Sequence, residues 1–224
     1  MESVRRLPAV AAFAVAMAYV EAAVVAYLRE IYGIQDLVRD IPTASDRLTG
    51  IEVGREVATI VMLLAVGWIA GRKLQDRLGF FVFAFGLWDI GYYLWLALFE
   101  GWPRSPLDWD VLFLIPVPWW GPVLAPVLIS AMMCVGGAAA VWGADRGVRW
   151  RLSWTNAAVA AAGIAIVLYT FTADALGALP DGMAAITNVR PSDFQWPLFT
   201  LGFVVMSWAG LRVTWPGRSR LLRT

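Results

Sequence analysis

Asp89 lies in the middle of Phe80 to Phe99, a run of twenty residues with no other charge and many Phe, Leu, Trp and Tyr. Twenty apolar residues match the length of a membrane-spanning helix. A carboxyl group at its centre costs about 2.5–3.5 kcal/mol on insertion scales and marks a binding or proton-transfer role. Two further acids sit in apolar surroundings. Glu21 lies in the first apolar run, and Glu56 follows Arg55 near the start of the second. With a rise of ~1.5 Å per helical residue, Glu21 and Glu56 fall at matching depth, with Asp89 one turn deeper. If the first three runs pack together, these acids and Arg55 line one polar pocket. The chemistry open to such a pocket is proton transfer, binding of a hard cation, or a buried ion pair.

Tyr92 and Tyr93 stand three and four residues after Asp89. Helical side chains lean toward the N-terminus, so either phenol is placed to donate a hydrogen bond back to Asp89. This makes Asp89 either a satisfied packing group or a proton-coupling site. Glu52 completes a Thr49-Gly-Ile-Glu52 capping box, and Ser192 and Gln195 show the same spacing.

The chain that must position these groups has 224 residues, 60% of them hydrophobic and 16% charged. That apolar share exceeds what an ordinary soluble domain carries. Six runs have the length of spans: about Leu7–Leu28, Gly50–Ala70, Leu78–Phe99, Trp120–Trp142, Trp154–Ala173 and Gln195–Arg212. The fold class predicted is all-α, a bundle of six transmembrane helices forming a single domain. Arg5 and Arg6 before the first run resemble a signal peptide, but the run continues to Leu28 and reads as an uncleaved helix.

Basic residues set the orientation. With the N-terminus inside, twelve of the eighteen Lys and Arg fall on inner segments, while twelve of the seventeen acids fall on or near the outer side. The positive-inside rule places both termini in the cytoplasm, the protein in the cell (inner) membrane, and an acidic face outside. The inner arginines are scattered over short loops, where lipid headgroups rather than nucleic acid are the expected counterions.

Two outer segments stand out. Ile31 to Pro42 places Ile31, Ile34, Leu37, Val38 and Ile41 at helical spacing, predicting a short amphipathic helix at the outer interface. Trp102 to Pro122 is rich in Pro and Trp and predicts irregular backbone, with Asp108, Asp110, Trp119 and Trp120 forming a lid, a re-entrant segment or an interfacial anchor.

Histidine is absent, which removes His-ligated metals and haem, Ser-His-Asp triads and histidine proton relays. Cys134 is the only cysteine and forms no intrachain disulfide. Walker A, GxGxxG, GxSxG and HExxH patterns are missing. No cofactor or metal is expected. The bilayer is the expected partner, with a small solute or cation and other membrane subunits as further ones. Three functions fit: binding or passage of a small solute, cation or proton through a carboxylate-lined pocket open to the outside; a non-catalytic subunit of a membrane complex; and a membrane-embedded enzyme acting on a lipid or isoprenoid.

Overall fold

A computed structural model describes residues 2–33, 47–150, 152–186, 189, 191 and 193–214. The helices are α1 (Leu7–Tyr32), α2 (Arg47–Ala70), α3 (Leu74–Glu100), α4 (Leu124–Asp145), α5 (Trp154–Ala178), α6 (Met183–Ile186) and α7 (Trp196–Thr214). All but the four-residue α6 are long and apolar enough to cross a membrane, six in number among the described residues. The amphipathic helix predicted over 31–42 falls, beyond Gly33, outside the described residues, as does Ser192.

Boundaries differ from the sequence reading where local chemistry overrides hydropathy. Helix α2 is already formed at Arg47, so Thr49 is interior to it and the Thr49–Glu52 capping box is not made. Helix α3 begins four residues before the predicted Leu78, because the Asp76 carboxylate turns back to accept from the Lys73 (2.6 Å) and Arg72 (3.1 Å) backbone N–H groups. Helices α1 and α3 stop at Gly33 (φ 63°) and Gly101 (φ 65°), left-handed positions that favour glycine.

The largest departure lies between α3 and α4. Instead of irregular backbone, Trp109–Phe113 (β1) and Trp119–Pro122 (β2) pair as an antiparallel hairpin, with Asp110 opposite Gly121 and Val111 opposite Trp120. Aromatic and branched residues favour pleated backbone, and Pro116 and Pro118 sit in the connecting turn, where no ladder N–H is needed. Residues 120–122 are therefore strand, and α4 starts at Leu124 rather than Trp120.

Helix α3 is the central post, packed against α1, α2 and α4, while α5 pairs with α7 and meets the hairpin. Small residues permit the close contacts. Ala14, Ala18 and Ala22 of α1 are fully buried. A Cβ on Gly86 of α3 would lie 2.4 Å from the Ser130 carbonyl oxygen of α4. That approach replaces side-chain bulk with backbone contact between the two helices.

The two ends differ chemically. At the end holding the N-terminus, the Ser3 and Val4 N–H groups bond Asp145 (3.1 and 2.9 Å) and the Ser3 hydroxyl bonds Asp76 (3.1 Å). The same end carries three arginines stacked on tryptophans: Arg77 on Trp68, Arg146 on Trp142 and Arg212 on Trp208, each 3.9–4.2 Å from the ring centroid. Paired aromatic and cationic groups at one level are what a membrane–water boundary collects. The hairpin and the buried acids Glu21, Glu56 and Asp110 lie toward the opposite end.

Candidate functional site

Each buried acid in this half of the molecule joins two elements. Glu21 of α1 pairs with Arg55 of α2 and accepts a hydrogen bond from the Thr59 hydroxyl (3.1 Å). Arg55 also grips Glu52 one turn back, its Nε 2.9 Å from Oε2. Both Glu56 oxygens accept from the Leu114 N–H at the hairpin turn, at 3.0 Å each. Arg29 of α1 reaches Glu100 at the end of α3 (2.6 Å) and lies 4.5 Å from the Trp102 ring centroid. On β1, Asp110 accepts from the Tyr93 hydroxyl of α3 (3.1 Å). Asp89 of α3 accepts from the Ser130 hydroxyl of α4 (2.8 Å).

Depth follows from these contacts. Phe113, at the end of β1, stacks with Phe85 of α3 at 6.4 Å between centroids. Phe85 is fifteen residues before Glu100, so the hairpin turn lies roughly 20 Å along α3 from its end. The hairpin is a plug inserted between helices, its tip lodged among Phe85, Phe171 and the Glu56 carboxylate. Gly121 permits this, since a Cβ there would meet the Phe171 ring at 2.8 Å.

The structure joins Glu21 to Arg55, the sequence neighbour of Glu56, and ties Asp89 on α3 to Ser130 of α4. Two expectations change. Neither tyrosine bonds Asp89: Tyr93 turns to Asp110, and Asp89 is met by Ser130 because the Gly86 contact draws α4 onto that face of α3. Tyr92 packs edge-on against Tyr93. Nor are the hairpin tryptophans interfacial anchors. Trp120 is only 1% exposed, packed with Val117, Ala175 and Ile186, and Trp119 stacks on Phe171. Asp108 shapes the turn before β1, accepting from the Arg104 (2.7 Å) and Ser105 (3.1 Å) N–H groups.

Thr59, Ser130 and Glu100 were not singled out from sequence. Ser130 had a signal, as a lone hydroxyl in an apolar run. Glu52 was read as a cap and is instead an Arg55 partner.

Among the described residues, the ties in this half involve six carboxyl groups (Glu21, Glu52, Glu56, Asp89, Glu100, Asp110) and two guanidinium groups (Arg29, Arg55). A buried carboxyl group without a cation favours its protonated form. Asp110, on the hairpin, is 2% exposed, and burial pushes its carboxyl up to about 6, against the opposing pull of Arg29 and the Tyr93 hydroxyl. Among the described residues, no three Cys, Asp or Glu side chains are grouped to hold a metal ion.

No protein-family model, curated protein or solved structure matches this chain. The geometry of the acids therefore carries the functional reading.

The Asp110 shift gives a pH prediction. An unfolded Asp titrates near 3.9, so the folded state holds this proton more tightly. Below pH ~4 both states are protonated and Asp110 contributes no difference. From pH ~4 to ~6 the folded state loses stability relative to Asp110→Asn, by about 3 kcal/mol once ionisation is complete. Unfolding of both proteins across that range measures the difference. A constant gap between the two curves would contradict it.

Proposed function

We propose that this chain is an integral membrane protein, with its termini on the cytoplasmic side, that binds and passes protons or small cations through the buried acids of its outer half. The observation that carries the reading is the excess of carboxyl groups over arginines among the described residues of this half, set against a hairpin tied to α2 through Glu56 and to α3 through Asp110. Asp89 and Glu21 are the coupling acids, Arg55 and Glu56 shape the mouth, and the hairpin is the lid.

The membrane setting is supported by the exterior. Ile69 of α2, Leu98 of α3, Val135 of α4 and Leu211 of α7 are 62–80% exposed. A water-soluble protein does not show apolar surface on that scale. The positive-inside count and the Trp–Arg level at the N-terminal end support the same orientation.

The test is ion entry into dye-loaded proteoliposomes under an imposed pH gradient. Wild-type protein speeds proton or cation entry over empty vesicles, and the Asp89→Asn and Glu21→Gln variants do not.

The subunit reading has one observation in its favour. On α2, Gly50, Gly54 and Ala58 form an exposed stripe, with nothing within 4 Å of a Cβ built on either glycine. Lipid alone gives no reason for glycine there, whereas a partner helix does. A stable lone monomer in mild detergent counts against it.

A further inference from the structure

Far from the acids, at the arginine-rich end, α5 and α7 enclose a cleft of about 200 Å³ lined by Ser153, Thr155, Asn156, Val159, Trp208 and Arg212. None of these is acidic. The start of α5 opens into it. Ser153 caps that helix, accepting from the Asn156 N–H (3.2 Å), and the Trp154 and Thr155 N–H groups form the positive end of the helix dipole. The Ser153 and Thr155 hydroxyls lie 3.1 Å apart, and only one can donate to the other, so a hydroxyl hydrogen remains for a ligand. Arg212 rests on the Trp208 ring at 3.9 Å, its guanidinium hydrogens free of that stacking contact.

A second observation points to a ligand of more than one part. Asn156 is 9% exposed, and its Nδ2 donates to the Ala209 carbonyl (2.9 Å), tying α5 to α7. Its Oδ1 is buried with no partner. A buried amide oxygen left unsatisfied costs about 1–3 kcal/mol and calls for a donor. The cleft thus combines donors and positive charge for an anion with one acceptor for a hydroxyl or ammonium. Beside it, Trp154 and Leu152 are 92% and 63% exposed, apolar groups suited to acyl chains.

We infer that this cleft holds the headgroup of a membrane phospholipid whose phosphate meets Arg212 and the start of α5, and whose further hydrogen-bond donor, of the ethanolamine or glycerol kind, meets Asn156 Oδ1. A choline headgroup supplies the phosphate but no donor. The inference shares only the membrane setting with the proposed function and does not depend on the buried acids.

The experiment is native mass spectrometry of detergent-purified protein offered phosphatidylethanolamine, phosphatidylglycerol or phosphatidylcholine with identical acyl chains. The first two are expected to be retained about tenfold more than the third. Arg212→Gln, an exposed change, loses retention of all three, and Thr155→Ala weakens it. Asp89→Asn, altered in the acid cluster, keeps the lipid preference. Equal retention of the three lipids, or wild-type retention in Arg212→Gln, overturns the assignment. So does displacement by an equal concentration of inorganic phosphate, which marks a free-anion site.

Discussion

Replacing Arg55 with Gln is expected to lower the stability of the folded protein by about 3–5 kcal/mol, the usual loss when one member of a buried ion pair is removed. Arg55 pairs with Glu21 across α1 and α2 and with Glu52 along α2, and Glu56 is its neighbour in sequence. Without it, three carboxylates in a largely buried space lose the cation they share. They respond by binding protons, so the loss is largest at neutral pH and shrinks as the pH falls toward the carboxylate range. The double variant Glu21→Gln, Arg55→Gln removes charge from both sides and should cost less than the two single changes added together. Thermal unfolding in detergent at two pH values measures all four proteins. Wild-type stability in Arg55→Gln would remove Arg55 from the centre of the cluster.

Asp89→Asn and Glu21→Gln are expected to reduce ion entry into proteoliposomes by about tenfold or more, because each removes a group whose charge-assisted bonds are worth ~1.5–3 kcal/mol. Both changes keep the shape of the site. Asn at 89 still accepts from Ser130, whereas Gln at 21 has one oxygen in place of two and accepts from Thr59 or from Arg55. In Asp89→Asn, loss of entry with unchanged unfolding therefore reports on the proton or cation and not on packing, while Glu21→Gln, which also breaks the Arg55 pair, is read beside its own unfolding. Wild-type entry in both variants would make these acids structural ties between helices.

Much of this was legible in the residues. Long uninterrupted apolar runs locate the six helices, because a helix that satisfies its own backbone groups needs little else to be recognised. Helical rise alone puts Glu21 and Glu56 at one depth, and charge alone allows an ion pair of Arg55 or Arg29 with either acid, of which the structure forms Arg55 with Glu21. The hairpin was not legible. Its strands are only five and four residues long, and proline, which breaks helix, says nothing about whether the chain then pairs with itself. With the hairpin unseen, the partner of Asp110 could not be placed, and Tyr93 was assigned to the nearest acid in sequence. Asp89 went to Ser130 for a tertiary reason, the glycine contact that sets α4 against α3. Trp119 and Trp120 were read by composition as interfacial, whereas the hairpin turns them inward.

The central claim is that the buried acids change protonation within reach of the outer solution. Infrared titration of the protein in lipid bilayers, from pH about 8 to about 5, tests it most directly through the carbonyl band of protonated carboxyl groups. That band should grow on acidification in the wild type, and Asp89→Asn and Asp110→Asn should each remove part of the growth. A band identical in wild type and both variants across the range would contradict the account.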